Sequence, residues 1–125
     1  MRRSAIGFGL GLILLIGVPG VALADLATST FDSVRVDRAA QELVISGTIS
    51  CTETETATVT AFVTQTTREA GASIDVSCGT TPTSWEIRLP LGTPPFHPGP
   101  AILDIGFSAG QTVSGQSLEI MILPG

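Results

Sequence analysis

The side chains able to do chemistry in this chain are few and scattered. His97 is the single histidine, held in the stretch GTPPFHPGP with proline on both sides. A lone imidazole works as a general base only where a nucleophile and an orienting carboxylate converge on it. There is no G-x-S-x-G elbow to supply a serine nucleophile. A zinc site would need further His or Cys ligands. The expectation is a solvent-facing loop histidine, with no catalytic residue, no metal and no cofactor. Glu53, Glu55 and Asp75 offer carboxylate oxygens. Calcium, however, takes about six to eight oxygens from a dedicated loop, and no D-x-D-x-D-G pattern is present. These three are expected to be solvated carboxylates.

Two further sets of residues invite a binding role. Thr52, Thr54, Thr56, Thr58 and Thr60 recur at every second position, with Thr64 and Thr66 beyond Phe62. On a strand that spacing puts them on one face. An ice-binding ladder would need a flat stack of such strands, whereas sheets twist by about 20° per strand. Strand propensity on a wet face accounts for the threonines. Sugar binding runs on exposed aromatic area. Tyrosine is absent, and Trp85 and Phe107 fall at positions expected to be core. Only Phe62 and Phe96 are candidates for a surface role. Phe96 and His97 together form the possible contact loop, with Phe96 as its apolar tip.

Cys51 and Cys78 are the only cysteines, and their chemistry depends on compartment. Residues 1–24 set that compartment. Arg2 and Arg3 precede the apolar run AIGFGLGLILLIGV, then Pro19-Gly20, then Ala22-Leu23-Ala24. A positive start, a hydrophobic middle and a small-x-small site read as a secretory signal peptide, cleaved after Ala24. The alternative is an uncleaved membrane anchor. The sequence Ser4-Ala5-Ile6 after the arginine pair favours ordinary secretion over the twin-arginine route, and no cysteine follows the apolar run to take a lipid. An even cysteine count in an exported chain reads as one disulfide, Cys51–Cys78.

The predicted mature domain is 25–125. It keeps four of the six arginines and all eleven acidic residues, and there is no lysine. Such an acidic surface repels phosphate backbones, so nucleic acid and anionic lipid are excluded as partners. With no asparagine in the chain, turns must be built from Gly, Pro, Asp, Ser and Thr.

The elements that carry these residues follow from a period-two apolar pattern that no helical period interrupts. After a short polar lead, DLATST, strands are expected over 33–37, 42–51, 56–65, 72–78, 84–89, 101–107 and 117–123. Leu43, Ile45 and Ile49 share one face of the second. Ala57, Val59, Ala61 and Val63 point inward from the third. Trp85, Ile87 and Leu89 oppose Ser84, Glu86 and Arg88 in the fifth. Seven short strands at regular spacing imply an all-β antiparallel sandwich of two sheets. A bridge requires the two cysteine Cα atoms to lie within about 7 Å. That condition is met if the fourth strand pairs with the third, as in the A-B-E / G-F-C-C′ order of fibronectin type III domains. The alternatives are an unformed bridge or another strand order.

The elements resemble, in this order, a group of small secreted bacterial Ig-like (fibronectin type III-like) domains of unknown function. The likeness rests on SGTISC closing the second strand, VSCG after it, a Trp in the next strand, and FHPGPAILDIGF feeding an alternating strand. It covers about residues 33–123 and implies a fold and a compartment, without an activity. A looser likeness is to the antibiotic-carrier apoproteins, which have two disulfides where this chain can form one. The function expected is a secreted, monomeric, non-catalytic binding or structural module. Its partner is a protein or a component of the cell envelope, and it leaves the membrane after signal cleavage. The alternative is a secreted inhibitor or hydrolase-like protein acting through the 90–100 loop, since a stiff proline-rich loop costs little to order on binding.

Overall fold

The computed structural model describes residues 26–125. The signal-peptide assignment and the mature start at Asp25 lie outside the described residues. Seven strands follow one another: β1 (Leu26–Asp37), β2 (Glu42–Cys51), β3 (Glu55–Gln65), β4 (Arg68–Cys78), β5 (Thr83–Pro90), β6 (Gly99–Ala109) and β7 (Thr112–Ile122). They form a three-stranded sheet, β1-β2-β5, and a four-stranded sheet, β4-β3-β6-β7, antiparallel throughout. Among the described residues there is no helix.

The inner faces follow the alternation of the sequence. Leu43, Ile45 and Ile49 of β2, and Trp85, Ile87 and Leu89 of β5, meet Ala57, Val59, Ala61 and Val63 of β3 and Leu103, Ile105 and Phe107 of β6. Each lone sheet would leave one apolar face in water, and stacking the two removes both from it. The fourth strand does pair with the third, setting Glu55 opposite Cys78. Cys51 and Cys78 are bridged with their Cα atoms 5.6 Å apart.

Four elements, β1, β4, β6 and β7, are longer than the alternation implies, and β7 begins at Thr112 where a start at 117 was expected. The polar lead is part of a strand: β1 begins at Leu26 and pairs with β2 along its whole length. The register slips at Ala27 and again at Asp32, so two bulges reset the inward–outward order and hide the strand from a period-two pattern. Hydroxyl pairs take the place of apolar ones there, Thr28 Oγ1 with Ser50 Oγ at 2.6 Å and Thr30 Oγ1 with Thr48 Oγ1 at 2.7 Å. β4 begins at Arg68, because Thr66 takes a positive φ of 51° and turns the chain back within two residues. Beyond β7, Leu123 joins β1, its N–H donating to Val34 O at 2.8 Å and its carbonyl accepting from Val36 N–H at 2.9 Å. That short parallel contact links the two sheets along one side.

The outer face of β1-β2-β5 is closed over by charge. Arg88 Nε donates to Glu86 at 2.7 Å, and Nη1 reaches Asp37 and Glu42, each at 3.1 Å. Val44 points outward yet is fully buried, because the register seats it between Arg35 and Arg88. The aliphatic stems of the two arginines cover it. The Arg88 hydrogen bond, and then the Ala40 N–H, hold the Asp37 carboxyl below the ordinary aspartate value. A carboxyl lowered by folding contributes stability above its ordinary value and loses it as pH falls through the lowered one. Carboxyl NMR titration should find Asp37 below the usual range, and Arg88→Met should move it back toward that range. An Asp37 titration unchanged by Arg88→Met would show that the pair does not persist in solution.

Candidate functional site

The loop between β5 and β6, residues 91–98, is held by two side chains from the β3–β4 hairpin. Gln65 continues the inward parity of β3 and is buried, 4% exposed. Its Nε2 donates to the carbonyls of His97 at 3.0 Å and Pro100 at 3.1 Å, and its Oε1 accepts the His97 N–H at 3.0 Å. Arg68 opens β4 and reaches across the loop's root. Its Nε donates to Leu91 O at 2.9 Å and its Nη2 to Pro90 O at 3.1 Å. Its guanidinium lies 5.0 Å from the centre of the Phe96 ring. Gly92, at φ 80°, passes so close beneath Arg68 that a Cβ there would collide with the guanidinium.

Phe96 is therefore not the apolar tip expected of a contact loop. It is 2% exposed and belongs to the core. Burying its ring beneath a cation satisfies both the ring and the arginine, and the loop turns its prolines outward. His97 is exposed, and only its backbone is engaged by Gln65. Gln65 and Arg68 were not singled out by their chemistry. The signal available for Gln65 was its parity, since a polar residue at the end of an inward series demands hydrogen-bond partners.

Gln65→Leu leaves the part-buried His97 N–H and the His97 and Pro100 carbonyls without their partner. It should cost about 1–3 kcal/mol, with faster amide exchange confined to residues 91–98. His97→Ala should stay within about 0.5 kcal/mol of the parent, as exposed substitutions usually do. Urea titration of both variants checks the pair. A His97→Ala loss as large as that of Gln65→Leu would assign the imidazole a structural role.

The remaining candidate residues do not converge. Glu53 is exposed in the β2–β3 turn. Glu55 sits on the inward parity of β3 with one oxygen buried and unpaired, while Asp75 projects from the opposite face of the sheet. Among the described residues no group of three or more His, Cys, Asp or Glu is placed to hold a metal ion. The threonine series divides. Thr56, Thr58, Thr60 and Thr64 lie on the outer face of β3, whereas Thr52, Thr54 and Thr66 fall in turns. The hydroxyls bond within the sheet: Thr58 donates to Asp75 at 3.0 Å, and Thr60 pairs with Ser73 at 2.7 Å.

That outer face, on β4-β3-β6-β7, carries Phe62, Ile102, Val113 and Met121, four of the five large hydrophobic side chains exposed among the described residues. The fifth, Leu123, follows the end of β7. Their exposures run from 38% for Ile102 to 76% for Val113. Near one end of the face, Thr64, Pro100, Ile102, Glu119 and Met121 border an open groove of about 590 Å³.

No family model matches the sequence, and no curated protein matches it. Among solved structures, the chain is similar to a β-glucosidase from Kluyveromyces marxianus at 12% identity, with a TM-score of 0.34. The likeness covers 87% of this chain and 16% of the enzyme's length.

Proposed function

We propose that this chain is exported and works as a non-catalytic Ig-like binding module. It meets its partner through the outer face of the four-stranded sheet. The observation that carries this reading is the placement of the exposed hydrophobics on that face, while the opposite sheet is covered by the Arg88 network. Isolated exposed apolar residues need no explanation, but several gathered on one face mark an interaction surface. The strand order β1-β2-β5 with β4-β3-β6-β7 supports the fibronectin type III-like reading, as A-B-E with C′-C-F-G. The single disulfide is compatible with an extracellular protein. A binding module also suits a loop that is clamped at both ends and a histidine engaged only through its backbone.

The test is made on protein recovered from the culture supernatant of the producing cell. N-terminal sequencing should begin at Asp25. Crosslinking of the tagged protein back onto that supernatant and the cell envelope should give one saturable partner. An intact Met1 in the membrane fraction, or the absence of any saturable partner, would overturn the proposal.

A further inference from the structure

We infer that the partner presents a basic, apolar protein surface, and that it approaches most closely at Gly106 and Gly115 in the middle of the β4-β3-β6-β7 sheet. This inference rests on the binding-module reading above and adds the partner's chemistry and the centre of the contact.

Charge is the first argument. Glu69, Asp75, Asp104 and Glu119 all project from this face and are all exposed. The four described arginines are elsewhere. Arg35 and Arg88 lie on the other sheet, Arg38 is in the β1–β2 turn, and Arg68 is spent on the 91–98 loop. No ion pair among the described residues involves these four carboxylates. The apolar and acidic residues alternate in register: Phe62 is opposite Asp104, and Ile102 is opposite Glu119. A complementary surface sets lysine or arginine beside apolar side chains.

The glycines are the second argument. Gly106 and Gly115 are direct cross-strand partners. Glycine inside a strand weakens it, by roughly 0.5–1 kcal/mol against alanine, and so calls for a reason. At Gly47 the reason is packing, since a Cβ would strike the Trp85 ring and the Thr30 carbonyl. At Gly71 it is the Phe62 ring, 2.6 Å from where a Cβ would be. Gly106 and Gly115 have no such neighbour. A Cβ on either would meet nothing closer than strand backbone at 3.6 Å, and neither has a positive φ. What remains is close approach by another chain. Thr60 and Ser117 beside them are small, so the centre is low, with Val113 next to Gly115 along β7 and Phe62 diagonal to Gly106.

Charge also selects among occupants. A second copy of this chain would set four carboxylates against four more, and an anionic membrane would be repelled in the same way.

The probe is a short peptide alternating lysine with valine, with a glutamate–valine peptide as its counterpart, titrated into the mature disulfide-bonded protein. Amide NMR shifts should map to the outward positions of β3, β6 and β7, and the glutamate peptide should give none. Gly115→Thr adds a strand-favouring side chain at the centre. It should keep or raise the melting temperature and weaken lysine-peptide binding by about tenfold or more, while Ser84→Thr on the other sheet leaves binding unchanged. Asp104→Asn with Glu119→Gln should weaken binding and flatten its salt dependence. Shifts on β1-β2-β5 or on residues 91–98, equal binding of the two peptides, or undiminished binding by folded Gly115→Thr would each overturn the inference. So would a dimer in sedimentation that Gly115→Thr abolishes. A saturable natural partner that binds Gly115→Thr normally would remove this inference and leave the binding-module reading standing; no saturable partner would remove both.

Discussion

Trp85→Ala is expected to lower the unfolding free energy by about 3–5 kcal/mol, the range for a buried aromatic truncated to alanine. The indole is 3% exposed between the sheets and meets Phe107 edge-on, with ring centroids 5.9 Å apart and planes at 67°. Such a pair adds to the area term. The strand beneath is shaped for the ring, because Gly47 is its register partner on β2 and a Cβ there would overlap the indole. Trp85 Nε1 is buried without a hydrogen-bond partner, so the residue stabilises by packing alone. Trp85→Phe should therefore cost clearly less than Trp85→Ala, since it forfeits no hydrogen bond. Circular dichroism in urea measures both, as Trp85 is the only tryptophan and the variants lose that fluorophore. The parent protein should emit to the blue and resist quenching. A Trp85→Ala cost below about 1 kcal/mol would place the ring outside the core, since core losses of this kind run several-fold higher.

Gly47→Ala separates the two neighbours of that glycine. Its Cβ would meet both the indole and the Thr30 carbonyl. In the Trp85→Ala background the first clash disappears and the second stays. The double-mutant cycle should therefore show a coupling that recovers part of the Gly47→Ala cost.

Removing the disulfide, as Cys51→Ala with Cys78→Ala, is expected to cost about 2–5 kcal/mol. The bond spans a sequence separation of 27 and closes a loop holding β3, the β3–β4 turn and β4. Chain entropy alone gives roughly 3.5 kcal/mol for a loop of this length. Both cysteines are 1% exposed and sit in the core, so the alanines also give up packed volume. The Cys51 N–H donates to Gly79 O at 2.7 Å, which keeps the two strand ends together without the sulfurs. For that reason the variant should fold to the same sandwich at lower stability. Alkylation of both thiols without reductant, in the native parent, would contradict the bridge.

The alternation of apolar residues was enough to place all seven strands, the inward sets of β2, β3, β5 and β6, and Trp85 in the core. Side chains on a strand have no other way to divide between core and water. The pairing of β3 with β4 also followed from local information, because a bridge between Cys51 and Cys78 tolerates few strand orders. The alternation failed where the backbone departs from period two. The bulges at Ala27 and Asp32 concealed the first half of β1.

Sequence gave no means of finding the partners of Phe96. Composition marks GTPPFHPGP as a stiff loop, and a phenylalanine in such a loop has the same local neighbours whether it projects or folds under. Gln65 and Arg68 decide the matter, and they are separated from Phe96 by two strands, β4 and β5. Likewise, Phe62 stands out as a surface candidate in its own strand, but Ile102, Val113 and Met121 do not. Only sheet order sets Phe62, Ile102, Val113 and Met121 on one face and turns the four described arginines away from it. Alternation is a property of one strand and can be read from it. Adjacency between strands is fixed by register and by hydrogen bonds between distant segments, and these exist only once the chain has folded.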